Sequence, residues 1–289
     1  MPLWLTLWHE NEVACLFADT NMGKSIYAVQ IAKAISSAGR RVIYFDFELS
    51  DKQFQLRYTN PDTDKLYPFS PLLIRSEFAK TSMPETISEV VDCIEAEIAN
   101  KRCKIVIIDN ITWICNRSES GDAAGELMTL VIGLKRKWGL SILCLAHTPK
   151  RAITTALTQN SLAGSKRIAN FMDSLFAIGV DRTNQPSGRY VKQIKVRSAE
   201  LTNGEERVLR YEIVKEHSML HFKPIGTGNE RMLLAGSSDE DKEAQHSRII
   251  ELAASGMSQR AIAEEVGLSQ SCVCRVLLRH RESEQSSLT

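Results

Sequence analysis

No stretch of the 289 residues is apolar for long enough to span a bilayer, so no transmembrane helix organises the chain. Neither charge is in excess: 36 Lys and Arg against 35 Asp and Glu leave +1. No global basic field advertises a nucleic-acid partner, and any such contact must come from a local patch. The seven cysteines, Cys15, Cys93, Cys103, Cys115, Cys144, Cys272 and Cys274, lack the paired spacing of a metal site. Cys272-x-Cys274 has no second pair, and most of the others lie in apolar runs as small buried residues of a reducing compartment. Met1 to Trp8 is apolar but has neither a charged start nor a cleavage pattern, so no signal peptide is read there and the expected location is the cytoplasm. What is present is ordinary for a globular protein: 43% hydrophobic and 25% charged, in a length that suits one large domain and a small one.

The chain is organised around Ala18-Asp19-Thr20-Asn21-Met22-Gly23-Lys24-Ser25. An apolar run, Val13 to Phe17, leads in, and Ile26, Val29, Ile31, Ala32 and Ile35 follow at helical spacing: strand, tight loop, helix. The loop matches the phosphate-binding pattern G-x-x-x-x-G-K-[ST], with Ala18 in place of the first glycine. Backbone N–H groups of such a loop and of the helix that follows surround phosphates with partial positive charge. Gly23 lets the backbone come close, Lys24 reaches the β and γ phosphates, and the Ser25 hydroxyl takes one position on Mg²⁺. Residues Ala18 through Ile26 are the candidate nucleotide contacts, with ATP and Mg²⁺ as cofactors.

Three further apolar strands end on chemistry-bearing residues. Arg41 to Phe47 leads to Glu48, Lys104 to Ile108 ends in Asp109, and Leu140 to Ala146 ends in His147. In an open parallel sheet ligands bind at the C-terminal strand ends, so these residues share a rim with the phosphate loop. Asp109 reads as the carboxylate that holds Mg²⁺ through water. Glu48 either orients and deprotonates the attacking water or stands as an acid at the N-terminus of a helix over Asp51–Tyr58, capped by Ser50. His147 either senses the γ-phosphate or is a capped core histidine.

Around these strands the pattern predicts a phosphate-loop helix from Lys24 to Ala38 stopped by Gly39, a loop over Asn60–Met83, helices over Glu85–Ala99 and Gly125–Trp138, a mobile loop over Asn116–Ala124, and a second loop from Thr148 to about Lys166. A strand over Ser174–Val180 precedes three alternating strands, Arg189–Arg197, Arg207–Val214 and Met219–Phe222, with Asn203-Gly204 as a hairpin turn.

The run Phe45 to Arg57 resembles the glutamate motif of RecA-like hexameric helicases, both bacterial replicative and plasmid-replication types. Leu145-Ala146-His147-Thr148-Pro149-Lys150 is similar to the sensor motif of the plasmid-replication branch, and Leu162-Ala163-Gly164-Ser165 to the short Gly-Ser motif that follows it. The resemblance covers about Glu12 to Ser198, and the whole chain looks most like AAA-family ATPases carried by mobile elements of Bacteroidetes. It implies that Glu48 activates water, that Asp109 holds magnesium, and that sites form between subunits of a ring or filament, six in the resembled helicases. Two departures are Ala18 and the lack of an N-terminal helicase collar domain. Lys195 and Arg197 are two apart on a strand and point the same way. They look like the Lys-x-Arg finger pair inserted into a neighbour's site, or they are a solvated strand face with edge-protecting charge. Lys150, Arg151, Lys166 and Arg167 flank the second loop, which in the resembled rings faces DNA.

Beyond the strands the composition changes. Residues 224–242 are rich in Gly, Ser and charge, as a linker is. Residues 243–282 then read as a helix-turn-helix, with Ser258 and Ser269 as caps, a turn at Gly267, small Ala263 at the crossing, and Ile262, Val266, Leu268, Val273 and Val276 as core. The module resembles those of resolvases and transposases. Its second helix would offer Gln270, Ser271 and Arg275 to bases, while Arg260, Arg279 and Arg281 suit phosphates. The other reading of the module is protein interaction. The expected molecule is therefore α/β: a RecA-like P-loop core over residues 1–223 with a mainly parallel sheet, a small all-α DNA-binding domain, and a tail over 283–289. The expected activity is a Mg²⁺-dependent ATPase acting on DNA as a homo-oligomer, with no membrane partner, in replication, mobilisation or transposition. The alternative is a sequence-specific DNA-binding regulator that uses ATP as an assembly switch.

Overall fold

A computed structural model describes residues 1–77, 84–116, 122–149, 151–162, 165–235, 239–266 and 268–287. In chain order the strands are β1 Pro2–Trp4, β2 Trp8–His9, β3 Val13–Ala18, β4 Val42–Asp46, β5 Leu73–Glu77, β6 Ile105–Asp109, β7 Ser141–His147, β8 Ser174–Val180, β9 Gly188–Val196, β10 Val208–Glu216 and β11 Met219–Gly228. The helices are α1 Lys24–Ser37, α2 Asp51–Tyr58, α3 Ile87–Lys101, α4 Ile111–Cys115, α5 Ala123–Trp138, α6 Ser165–Phe171, α7 Glu230–Ala235, α8 Asp239–Ala254, α9 Gln259–Val266 and α10 Gln270–Ser287.

Among the described residues nine strands form one sheet in the order β11-β10-β9-β8-β3-β7-β6-β4-β5. The strands from β8 to β5 in that order are parallel, and β9, β10 and β11 are antiparallel additions. Successive side chains of a strand face opposite ways, which divides the apolar runs between two layers. Val13, Cys15 and Phe17 of β3 join Ile43 and Phe45 of β4 under α3 and α5. Ala14, Leu16 and Ala18 join Val42 and Tyr44 on the α1 side. The register sets Asp46 beside Asp109 and Ala18 beside His147. All four strand ends thus meet on one rim.

The first residues form a β1–β2 ribbon that packs on α1, with Leu7 and Trp8 buried and Trp4 Nε1 donating to Tyr27 Oη at 2.9 Å.

Several expectations are corrected. The Asn60–Met83 loop contains β5, which among the described residues pairs with β4 alone. As an edge strand reading Leu-Ile-Arg-Ser-Glu it has no continuous apolar run to reveal it. Asn203-Gly204 is not a two-residue turn. Asn203 is buried in a longer excursion tied to Gln193 through Asn203 N to Gln193 Oε1 at 2.7 Å and Gln193 N to Asn203 O at 2.8 Å. The tight turn is His217-Ser218, since Glu216 pairs with Met219. The 224–242 linker is also shortened. Residues 224–228 complete β11, and α7 is held by buried Glu230, which pairs with Lys192 at 2.5 Å and accepts from Tyr190 Oη at 2.8 Å. A buried acid of this kind marks packed structure, because it is stable only when paired. At the other end, the expected tail over 283–289 continues α10 as far as Ser287.

Candidate nucleotide site

Strand β3 delivers the chain into the phosphate loop, where Asn21 (φ 63°) and Gly23 (φ 95°) take left-handed backbone. Ala18 does not: it is the last ladder residue of β3, in ordinary extended backbone, so a methyl group is accommodated there. Gly23 is constrained twice. Its φ suits glycine, and a Cβ there would lie 2.9 Å from Phe222 of β11. Helix α1 begins at Lys24 with no side-chain cap and no acid in its first turn, so its leading N–H groups are open to an anion.

Lys24 is buried, and its ammonium donates to Ala18 O at 3.0 Å, to Asp19 O at 3.2 Å and to His147 Nδ1 at 3.1 Å. Burial lowers its pKa, against the pull of Asp109 and Glu48. An ammonium can only donate, so His147 Nδ1 accepts and Nε2 carries the proton. Nε2 lies 3.0 Å from Glu48 Oε1 and donates to it. That bond, joined by the charge of Lys24 and by a bond from Asn110 Nδ2, holds the Glu48 carboxyl below the usual range against partial burial. Asn110 is oriented through its Oδ1, which accepts from Trp113 N at 2.9 Å. Asp46 Oδ1 accepts from Glu48 N at 3.1 Å and Leu49 N at 2.8 Å, and Arg75 of β5 pairs with Asp46 Oδ2 at 2.9 Å. The glutamate is thus fixed through both its side chain and its backbone.

Asp109 is fully buried. Tyr44 Oη donates to its Oδ2 at 2.6 Å, whereas among the described residues Oδ1 has no hydrogen-bond partner. Burial pushes its pKa up to about 6, despite the neighbouring Ser25 and Tyr44 hydroxyls. An orphaned carboxylate oxygen next to a serine hydroxyl is the donor set of a hard, oxygen-seeking cation, and Ser25 with Asp109 fits Mg²⁺. Asp19 is held from the far side by the Thr148 hydroxyl and by Arg151, whose Nε lies 3.2 Å from Oδ2. The end of β7 therefore grips the loop at Lys24, and the segment after it grips the loop at Asp19. Ser25, Lys24, Glu48, Asp109 and His147 are brought together as expected. Tyr44, Asp46, Arg75 and Asn110 were not anticipated, and Arg151, expected among the loop cations that face DNA, instead pairs with Asp19. Only Asp46 and Asn110 carried a signal, as polar residues beside the ends of apolar strands.

Lys195 and Arg197 fall elsewhere. Strand β9 runs antiparallel to β8, so its end lies on the rim opposite the phosphate loop. Lys195 donates to Ala169 O at 2.8 Å and Arg197 pairs with Asp173 at 2.8 Å in the same chain. Of the loop cations, Lys150 and the motif residues Ala163 and Gly164 lie outside the described residues, as does the Lys166 side chain; Arg167 pairs with Asp122.

Helices α8, α9 and α10 pack about Ile249, Leu252, Ile262, Ala263 and Val273, with Val266, Leu268 and Val276 against them. Ser258 accepts from Ala261 N at 3.3 Å and Ser269 from Cys272 N at 3.2 Å. Gly267 and the Arg281 side chain lie outside the described residues. Ser271, expected to face bases, instead donates to Glu212 of β10. Ser269 is buried and reaches Glu212 Oε1 at 3.1 Å and Asn184 Oδ1 at 3.3 Å. The first turn of α10 is seated on the core through the Ser269 and Ser271 hydroxyls, which donate to the Glu212 carboxylate. Gln270, Arg260 and Arg279 remain exposed, and Arg275 is half-buried.

The chain can be placed among known proteins on this geometry. A KaiC-like protein from the hyperthermophilic archaeon Pyrococcus horikoshii matches with a TM-score of 0.55 at 14% identity, over 75% of this chain and 91% of that one. At that identity the likeness is one of fold, and it fits the RecA-like arrangement of a mostly parallel sheet behind a phosphate loop. No curated protein matches the chain. The AAA domain family matches residues 2–152, more than half of the chain and all of the rim from Ala18 to His147. The chain belongs to the AAA domain family.

Proposed function

We propose that the protein is a Mg²⁺-dependent ATP hydrolase that acts on DNA and works as a ring or filament of identical subunits. The observation that carries this reading is the chain of contacts Lys24–His147–Glu48, with Asp109 beside it on the rim. The triphosphate competes with His147 for Lys24, since both offer acceptors to one ammonium. Loop amides and the N-terminus of α1 bind the phosphate oxygens. Ser25 and Asp109 would hold magnesium, which would supply positive charge to offset that of the triphosphate. Glu48, ionised and fixed by Asn110 and Asp46, orients the attacking water and takes its proton. Lys195 and Arg197 act in a neighbour's site, a role their distance from their own phosphate loop supports. The C-terminal three-helix unit is a helix-turn-helix that contacts duplex DNA through Gln270, Arg275, Arg260 and Arg279. Ser271 joins them only when it leaves Glu212. A role in mobile-element replication, mobilisation or transposition follows from the motif resemblance.

The test is steady-state ATP hydrolysis with and without duplex DNA, alongside strand displacement. Hydrolysis stimulated by DNA supports the reading, and strand displacement specifies a motor. Hydrolysis indifferent to DNA removes DNA from the reaction.

A further inference from the structure

A cleft of about 400 Å³ opens where the turn before β9 meets α8 and α10. Arg182 and Gln185 line it from the core, and His246, Arg275 and Arg279 from the helical unit. Among the described residues no carboxylate lines it. Arg182 is aimed by the end of α7, donating Nη1 to Leu234 O at 2.7 Å and Ala235 O at 3.1 Å. These carbonyls orient the guanidinium without neutralising it. Among the described residues Arg275 hydrogen-bonds to Ser271 O at 3.4 Å and to Cys272 Sγ at 3.2 Å, and Arg279 is exposed. The walls are held in place by the bonds from Ser269 to Glu212 and Asn184, both buried.

Three guanidinium groups around one cavity repel one another, and a polyanion reverses the sign of that interaction. The guanidinium fork matches phosphate oxygens better than any other side chain does. Arg275 and Arg279 are four residues apart on α10, so they stand about 6 Å apart along its axis on one face. A row of cations with a third from the opposite wall suits a chain of phosphates better than a single one.

We propose that this cleft is a contact for the phosphate backbone of duplex DNA, in which Arg182 of the ATPase core and Arg275 and Arg279 of the helical unit bind together while the unit is docked. The proposal rests on the DNA reading above and adds that the core is itself part of the DNA surface. In the docked arrangement the start of α10 faces Glu212 and its later turns face the cleft. The contact is therefore one of position, carrying no sequence information.

The experiment is equilibrium binding of a mixed-sequence duplex to the full-length protein over a salt series. Each phosphate contact contributes about 0.9 to the slope of log affinity against log salt. Arg182→Gln is expected to lower that slope by about one and to weaken binding several-fold. Gln185 is exposed in the same cleft, so its variants test the charge without removing a structural bond. Gln185→Lys is expected to steepen the slope by about one, and Gln185→Glu to weaken binding, with basal hydrolysis unchanged in both. If Arg279→Ala lowers the slope while Arg182→Gln and both Gln185 variants leave it unchanged, the helical unit binds alone and the shared cleft is overturned, with the DNA reading intact. If the wild-type protein binds no duplex at any salt concentration, both fall.

Discussion

Lys24 Nζ lies 3.1 Å from His147 Nδ1, and the far side of the same imidazole lies 3.0 Å from Glu48. One ring thus spans the group proposed to bind phosphate and the group proposed to handle water. A nucleotide that draws Lys24 away frees Nδ1, and the orientation of Glu48 responds. His147→Ala is expected to keep nucleotide binding and lose hydrolysis by about 10-fold or more. Glu48 loses the bond that holds its pKa down, so it protonates at a higher pH. The acid limb of the pH–rate profile should therefore move upward. An unmoved limb in the variant would separate His147 from the titration of Glu48.

Lys24→Ala is expected to abolish ATP binding, because the buried ammonium is the cation that the loop offers to the phosphates. Glu48→Gln should bind ATP normally and turn over at least about 100-fold more slowly, since an amide cannot take the proton from water. A fluorescent-nucleotide titration and steady-state hydrolysis distinguish the two. Normal turnover of the Glu48→Gln protein removes it from the chemistry.

Asp109 should couple metal binding and stability to pH. Its folded pKa of about 6 lies above the ordinary carboxyl value, so the native state holds a proton that the unfolded state has lost between about pH 4 and 6. Stability of the metal-free protein therefore falls as pH rises through that window and is flat above it. Asp109→Asn keeps an acceptor for Tyr44 and removes the buried charge. At pH 7 it should be more stable than wild type by about 1–3 kcal/mol in urea without metal, and devoid of Mg²⁺-dependent hydrolysis. Lower stability of the variant at pH 7 contradicts the uncompensated carboxylate.

Arg197 pairs with Asp173 in its own chain, on the rim away from the phosphate loop. If it serves a neighbour, an inactive Lys24→Ala subunit mixed with an inactive Arg197→Ala subunit should recover part of the hydrolysis. One junction then joins an intact loop to an intact arginine. Mixing ratios scanned with assembly confirmed by light scattering give the answer, and flat zero activity across them counts against action between subunits.

The rim was legible because each of its strands is an apolar run that stops on a polar residue, and strand order alone carries such ends together. Glu48, Asp109 and His147 could be named from that rule. Their supports could not. Asn110 and Asp46 act by orienting a neighbour, and Arg75 comes from an edge strand whose mixed residues hide its pairing. The 224–235 segment misled for a related reason. Glycine and charge resemble a linker in composition, but Gly226 and Gly228 lie in β11, and Glu230 is a buried partner of Lys192. The seat of Ser271 on Glu212 depends on two distant elements meeting, which no local pattern encodes.

The contact of Gly23 with Phe222 has a consequence for where this protein can be divided. Phe222 is held against α1 by Gln30, which takes its N–H at 2.8 Å and donates to its C=O at 3.0 Å. Phe222 pairs in register with Ile213, whose side chain also lies under Gly23. The family match ends at residue 152, before either residue, and before β8, which covers one edge of β3. A fragment cut there would carry every residue of the nucleotide motif. It would also have an open ladder along its central strand and nothing beneath its loop. In this chain the matched stretch is therefore not expected to fold by itself, and insertions or fusions that respect the motif but separate it from the β10–β11 hairpin should yield aggregates rather than a smaller ATPase.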